Sequence, residues 1–565
     1  MTVELVVDDT GLFEPADVHV GQRLTALREE TDERVALAVA FVVRALRGGS
    51  VCVDLNSAEL EDLADAVRAS PLLADPPILR LNGDLLYLDR YWLEEQQVCD
   101  DILAMVKARP AQVSPDIDRL FPTGFEEQRA AAKVALSQGL TVLTGGPGTG
   151  KTTTVARLLA LLASGRRLRI ALAAPTGKAA ARLQEAVQLE VGKLAPSDQD
   201  ALAGLHATTL HRLLGSRPDT SARFRHHRGN RLPHDVIVVD ETSMVSLTMM
   251  ARLLEAVRPE TRLVLVGDPD QLASVEAGAV LADLVDGLGE GRIAALKTSH
   301  RFGKSIGTLA TAIRVGDADK AVEVLRAGGE HIEWIDTDDP RERLRNVLVR
   351  HAVALRTAAV LGDERAALQV LDDHRLLCAH RRGPFGVAYW NRQVERWLTE
   401  ETGEPIWSSW YAGRPVLATA NDYGLGLYNG DTGVTVVRDG ALRVVIGDAT
   451  FATSRLADVE TMHAMTIHKS QGSQADEVTV LLPQEESRLL TRELFYTAVT
   501  RAKERVRVVG SEVALRAAIE RRAIRASGLA RRLRRSQTCP SASPARMLCC
   551  MGRDLCDDGP ALAAR

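Results

Sequence analysis

Aromatic residues make up only 4 % of the 565 residues, so a surface built on rows of stacking aromatics is not expected. Long apolar runs are also missing. Those present, such as Val35–Val43, fall well short of the roughly 18–20 residues that a membrane helix needs. Met1–Val20 has no basic start followed by an apolar core, so no secretory leader is expected. Positive charge is not in excess. The net charge of −5 excludes a protein coated in basic residues but leaves room for a local basic groove. Cysteine is sparse: three of the seven, Cys52, Cys99 and Cys378, stand far apart in apolar surroundings, and the other four gather after residue 538. That pattern offers no disulfide framework and fits a reducing, cytoplasmic setting. No repeat of fixed short period is present.

What is present is the mixture of a globular protein, 45 % hydrophobic and 26 % charged. At about 100–200 residues per domain, this length predicts several cores. Residues 1–112 read as a helical N-terminal domain. DERVALAVAFVVRALRGG (32–49) spaces its apolar residues as a helix does and stops at a glycine pair. The stretch 79–106 begins as a hairpin turning at Asn82-Gly83 and continues as a helix. The Pro-rich 108–124 reads as a linker.

From residue 125 the texture changes to helices alternating with short continuous apolar runs: LTVLTG (140–145), LRIALAAPT (168–176), VIVVDE (236–241) and TRLVLVGD (261–268). A second group follows: HRLLCAH (374–380), TMHAMTIH (461–468), VTVLLP (478–483) and RVRVVGS (505–511). Strands buried on both faces of a parallel sheet look like this. Between them, residues 405–457 hold short strands with turns at Asn429-Gly430-Asp431 and Asp439-Gly440, which predicts a small inserted β-barrel. The fold class is therefore α/β with two sheet domains. The expected boundaries are 113–305 for the first, 306–404 and 461–520 for the two parts of the second, and 405–460 for the insert. Residues 521–565 are expected to be a basic helix and a disordered tail.

GGPGTGKT (145–152) matches the phosphate-loop pattern, with an apolar strand before it and a helix after it. Gly145, Gly146, Pro147, Gly148, Thr149 and Gly150 would curl backbone N–H groups around phosphates, and Thr153 continues the turn. Lys151 would reach the terminal phosphates of ATP, and Thr152 would offer its hydroxyl to Mg²⁺. Asp240 ends a buried strand, where it would hold Mg²⁺ through water. Glu241 would orient and deprotonate an attacking water, which points to hydrolysis. Gln271 in LVGDPDQL would bond the γ-phosphate or that water. Gln128 stands upstream, placed to read an adenine edge.

The ordered series EEQRAA, GGPGTGKT, APTGKAAARL, TTLHRLLG, VVDETSM, LVGDPDQL, LKTSHRF, MTIHKSQGSQADEV and FYTAVTRAKE resembles superfamily 1 helicases of the 1B branch. Within them it is similar to the RecD family, the alpha subunits of exodeoxyribonuclease V, over roughly residues 80–530. DLLYLDRYWLEEQ (84–96) resembles that family's N-terminal domain, which docks on a partner subunit. The resemblance implies two tandem RecA-like domains with an SH3-like insert, and a Mg²⁺- and ATP-driven motor moving 5′→3′ on single-stranded DNA. It implies service in double-strand break repair beside RecB-like and RecC-like subunits, on single strands and duplex ends, with no membrane.

Carried onto this sequence, Arg301 and Arg501 resemble the two arginines that reach the γ-phosphate from the second domain. Pro175, Thr176, Gly177 and Lys178 would take a DNA phosphate at a helix start. Thr209 and His211 would add backbone contacts, with helix packing a close second role for His211. Thr466 and His468 would contact the DNA backbone; Ser470, Gln471 and Gly472 would respond to nucleotide. Tyr496 and Thr497 stand one helical turn before Arg501 and would link hydrolysis to movement, unless Tyr496 is core. Gln474 stands where many relatives carry Glu, which puts a ribose contact there in question. The run 521–535 would touch DNA or a partner, or be a solvated helix end. No Asp/Glu/Lys cluster resembles a nuclease centre. Alternatives are a free-standing helicase of the same branch, a non-catalytic ATP-binding structural subunit, and a conjugative relaxase, which would need a nicking domain not found here.

Overall fold

The computed structural model describes residues 12–108, 116–217, 220–299, 304–422 and 424–538. Two parallel sheets dominate it. The first has six strands in the spatial order Ile293–Leu296, Leu140–Gly145, Arg262–Gly267, Val236–Val239, Ile170–Ala174, Ala207–Thr209. Every pairing in it is parallel. Alternate residues of one strand explain its unbroken apolar run. Ile237 and Val239 pack on one side with Met250 and Leu253, while Val236 and Val238 pack on the other with Leu158 and Leu159. Both faces are buried, so apolar residues follow one another without alternation.

The second sheet has five strands, also all parallel, in the order Ile332–Ile335, Ala502–Val509, Ala475–Leu481, His374–Cys378, Ala464–Thr466. All eight apolar runs supply strands, but 461–468 is not one element. Val459–Thr461 pairs with the insert, and Ala464–Thr466 pairs with the second sheet. The Asn391 amide bridges the break: it donates to the Thr461 carbonyl at 2.7 Å and accepts from the Ala464 N–H at 2.8 Å.

The insert is a five-stranded antiparallel sheet. Its hairpin from Thr432–Arg438 to Ala441–Ile446 turns at Asp439-Gly440, with φ of 52° and 74°, the left-handed pair that a two-residue hairpin loop demands. Its edge strands are Ala449–Ala452 and Val459–Thr461, and among the described residues no pairing joins these edges to close a barrel.

The N-terminal region is less helical than expected. Beside helices Pro15–Ala26 and Glu33–Arg47 it holds a three-stranded sheet of Val53–Asp54, Leu79–Asn82 and Leu85–Leu88. The hairpin turn is Gly83-Asp84 and not Asn82-Gly83, because Asn82 pairs with Leu85 and Gly83 takes the positive φ of 62°. Helix Asp89–Lys107 buries Val98, Ile102 and Met105 in the same cluster as Leu140 and Ile237 of the first sheet. The stretch 84–96, read as a docking signature, is largely used inside the chain. Thr248 Oγ1 donates to Glu94 at 2.6 Å and Gln97 to the Ala251 carbonyl at 2.9 Å.

The basic run 521–535 is not one solvated helix. After helix Glu512–Glu520 the chain runs extended, and a new helix spans Leu529–Thr538. Leu529 and Leu533, one turn apart, are fully buried against helix Val280–Gly287. A run rich in arginine hid an apolar pair.

Candidate active site and nucleic-acid track

Each sheet ends in turns that face a cavity of about 880 Å³ between the two halves. From the first half it is lined by Gln128, Pro147, Gly148, Gly150, Lys151, Thr152 and Thr153, with Asp240, Glu241 and Gln271. Gly148 and Gly150 have φ of 78° and 85°, which only glycine adopts cheaply, so the loop can curl. Lys151 donates its ammonium to the Gly145 and Gly146 carbonyls. Gly145, Gly146 and Thr149 serve the loop itself and do not line the cavity. A Cβ at Gly145 would lie 2.9 Å from the Leu296 carbonyl, and Thr149 Oγ1 donates to Gly146 at 2.9 Å. Gln128 is buried, with its amide 3.4 Å from the Thr149 carbonyl, so it buttresses the loop.

Asp240 follows Val239, the last residue of its strand, inside the cavity. Burial raises its pKa, the Glu241 charge adds to this, and Lys151 opposes it. Glu241 takes φ 49°, ψ 42°, a left-handed conformation that costs a non-glycine residue energy. Sequence reading missed this strain. It also missed Asp268, at the end of the next strand. This buried carboxylate accepts from Gln271 at 3.0 Å, from Tyr496 Oη at 3.1 Å and from the Asp270 N–H at 3.1 Å. Burial raises its pKa against the Lys151 charge. The signal was available, because LVGD ends a buried strand as VIVVD does.

The second half reaches over from helix Arg492–Val499 and the turn at 468–474. Arg501 is buried and donates to Gln271 Oε1 at 3.0 Å, across the cleft. Tyr496 reaches Asp268, and Thr497 Oγ1 accepts the Leu272 N–H at 2.9 Å. Gln471 donates to the Leu272 carbonyl at 2.8 Å, so it holds the Gln271 loop and does not line the cavity. Gly472 and Gln474 do line it. Both meet a residue the sequence did not single out. Arg182 donates to the Gly472 carbonyl at 2.7 Å and to Gln474 Oε1 at 2.9 Å. Ser470 turns its hydroxyl back onto Ile467 O at 2.7 Å and only shapes the turn. Arg301 lies outside the described residues.

The residues expected to track DNA are placed differently. Thr176 and Thr209 cap helices: their hydroxyls accept from Ala179 N and Arg212 N, each at 3.2 Å. Pro175 leads into the first cap. Gly177, expected beneath a phosphate, is covered by the Tyr428 ring of the insert, and a Cβ there would lie 2.4 Å from it. Arg212 holds Tyr428 Oη at 3.0 Å. Lys178 is turned toward the insert, 3.4 Å from both the Gly430 carbonyl and Thr432 Oγ1, and burial lowers its pKa to about 8. His211 packs edge-on against Phe224 at 5.8 Å, the packing role. Thr466 lines a second cavity of about 700 Å³ with Asn391, Arg381, Arg382 and Lys469. There Glu460 pairs with both Arg381, at 3.0 Å, and Lys469, at 3.4 Å. His468 is largely buried beside that turn; burial and then the Arg525 charge lower its pKa.

Among the described residues no cluster of three or more His, Cys, Asp or Glu is arranged to hold a metal, and no helix is long and apolar enough to cross a membrane.

Three family models match: the N-terminal domain of RecBCD enzyme subunit RecD over residues 9–98, an AAA domain over 128–277, and a UvrD-like helicase C-terminal domain over 461–509. The RecBCD enzyme subunit RecD of Mycolicibacterium smegmatis is 75 % identical over 93 % of this chain and 98 % of its own length. That of Mycobacterium tuberculosis is 66 % identical over 93 % and 96 %. The ATP-dependent RecD2 DNA helicase of Deinococcus radiodurans is 30 % identical over 82 % of this chain but only 61 % of its own length. Among solved structures, the Pif1 helicase of Candida albicans superposes loosely, with 16 % identity, 68 % and 94 % coverage and a TM-score of 0.39. With relatives this similar along nearly their whole length, the chain belongs to the RecD family of RecBCD enzyme subunits.

Proposed function

We propose that this chain is the ATP-driven 5′→3′ DNA helicase subunit of a RecBCD-type helicase–nuclease complex, acting in double-strand break repair beside RecB-like and RecC-like subunits in the cytoplasm. The observation that carries the hydrolytic part is the cross-cleft network. Arg501 bonds Gln271 and Tyr496 bonds Asp268, over a cavity that also holds Lys151, Asp240 and Glu241. A cation delivered from the opposite half stabilises charge on a departing phosphate, and it makes hydrolysis depend on how the halves are set.

Lys151, Thr152 and the loop glycines would bind ATP. A partly buried strand-end carboxylate and a hydroxyl lining one cavity suit Mg²⁺, which takes one or two protein oxygens and fills its shell from phosphates and water. Asp240 and Thr152 would hold it, and when bound it would neutralise phosphate charge. Glu241 would orient water, Gln271 would place it, and Arg501 would meet the γ-phosphate, with Arg301 assigned beside it. Single-stranded DNA would run across Thr466, His468 and the Arg381–Lys469 cavity toward Lys178 and Thr209. Phosphates there would displace Glu460 from its cations. The N-terminal region, where Leu27 and Leu93 are exposed, would meet the partner subunits.

The test is a pull-down from cells followed by ATPase assay with and without single-stranded DNA, on wild type and on Lys151→Ala. Association with two larger subunits and DNA-stimulated turnover that the substitution abolishes are expected. Undiminished turnover by Lys151→Ala in the assembled complex would make the chain a structural subunit.

A further inference from the structure

The chain crosses between the motor halves twice. One crossing is the sequence link after Ile293–Leu296. The other is the extended segment that leaves helix Glu512–Glu520 and returns to the first half. Its two ends are anchored within two residues of each other. On the second half, the Arg521 carbonyl accepts from Arg492 N at 2.8 Å, and Ala523 N donates to Glu493 at 2.8 Å, both on the helix that leads to Arg501. On the first half, Arg525 donates to the Ser274 and Glu276 carbonyls, in the loop that follows Gln271. Its guanidinium fills the space beside Gly49, where a Cβ would lie 2.4 Å away. Ala526 N donates to Ser50 Oγ at 3.0 Å, and the Ala526 carbonyl accepts from Val51 N at 2.9 Å. Only Ile524, 86 % exposed, stands between the two anchors.

The far end is locked by Glu95. This carboxylate is fully buried and accepts from Gly528 N at 3.0 Å, Arg532 Nε at 2.7 Å and Tyr87 Oη at 3.2 Å. Gly528 has no room for a side chain, since a Cβ would lie 2.3 Å from Tyr87 Oη. Leu529 and Leu533 complete the seat. A buried charge tied by several donors does not let go readily, because losing them strands it unpaired.

We propose that residues 521–538 are a short tether that limits how far the two motor halves separate, with Glu95 as its anchor and Ile524 as its pivot. From Ala523 to Ala526, the nearest backbone anchors on the two sides, three residues span at most about 11 Å, so that length limits how far the halves part at this edge without breaking an anchor. The tether also places Arg525 on the Gln271 loop, so Arg525 and Glu95 are positioning residues for hydrolysis, acting through that loop. The consequence for turnover rests on the motor reading above; the mechanical limit does not.

The test lengthens the tether and leaves every contact in place. A six-residue Gly-Ser insertion after Ile524 adds up to about 20 Å of reach. Fluorescent probes in the two halves of the assembled complex report their separation without nucleotide. A broader, longer distance distribution is expected, with the melting temperature unchanged. The same variant is expected to raise the KM for ATP threefold or more and the ATP used per nucleotide travelled, with kcat less affected. Glu95→Gln, which keeps shape and weakens the anchor, is expected to shift the distances the same way but less. Distances identical to wild type in the insertion variant would overturn the tether. Altered distances in a complex that shows no DNA-stimulated ATPase at all would uphold the tether and sink the motor reading.

Discussion

The nucleotide cleft and the proposed DNA track are lined by residues picked from the same kind of motif, yet the two regions treat them differently. In the cleft, the described candidates for the chemistry line one cavity: Lys151, Thr152, Asp240, Glu241, Gln271 and Arg501. On the track, Thr176 and Thr209 cap helices, Gly177 lies under Tyr428, and Lys178 faces the insert. The difference lies in what positions the side chains. A carboxylate at the end of a buried strand has one direction to point, fixed by its own sheet. A residue at a helix start has several partners to choose from, and the insert, more than 200 residues later in sequence, provides some of them.

The largest expected effect lies in the cleft. Arg501→Ala should lower DNA-stimulated kcat by about 10³-fold or more, with ATP binding much less changed. Glu241→Gln should lose about 10²–10⁴-fold. Single-turnover hydrolysis against nucleotide-binding titrations separates the two quantities. A loss confined to KM would remove the cleft from the chemistry and erase the contrast.

Acid should weaken the packing of the second half beneath the proposed track. His463 is buried and His351 is partly buried, with pKa values lowered to about 3 and about 4, and the buried His374 is lowered well below the usual range; desolvation is the main cause for each. The unfolded chain holds these protons more tightly than the folded one. The contribution of His351 and His463 is therefore full above about pH 6.5 and falls as pH drops toward 4, by about 2 kcal/mol for each at pH 5, and His374 acts in the same direction. Denaturant melts between pH 7 and 5 check the slope. His463→Gln, which keeps the contact to Tyr411 within reach, should flatten it.

A smaller effect tests the covered helix start. Tyr428→Ala should tighten single-stranded DNA binding several-fold and steepen its salt dependence by about 0.7 for each phosphate newly neutralised. An unchanged salt slope would mean that Gly177 is not a phosphate site even when uncovered. The smallest effect returns to the cleft. Glu241→Gly should stabilise the fold by about 1 kcal/mol or less by relieving the left-handed strain, while hydrolysis is lost. Equal or lower stability would show that the strain is not stored at Glu241.

How much could be read in advance follows the same line. The eight apolar runs were legible because burial on both faces favours apolar residues at successive strand positions, and the Asp439-Gly440 turn because few residues accept two positive φ values in succession. Asp268 could have been found by the strand-end rule that found Asp240. Arg182 could not: nothing local distinguishes an arginine that crosses a cleft to Gly472 and Gln474 from one that lies on a helix surface. Nor could the stretch 84–96 reveal that Glu94 and Glu95 face inward, since acidic residues on a helix are usually solvated.

The sequence by itself determined two parallel sheets, a phosphate loop and the acids that follow it, because strand burial and backbone curvature restrict residue type at each position. Only the tertiary structure decided which glutamine Arg501 meets across the cleft, where Tyr428 lies, and that an arginine-rich C-terminal run is seated on Glu95. Those outcomes depend on long-range partners, and a side chain's local sequence carries no record of what the folded chain brings against it.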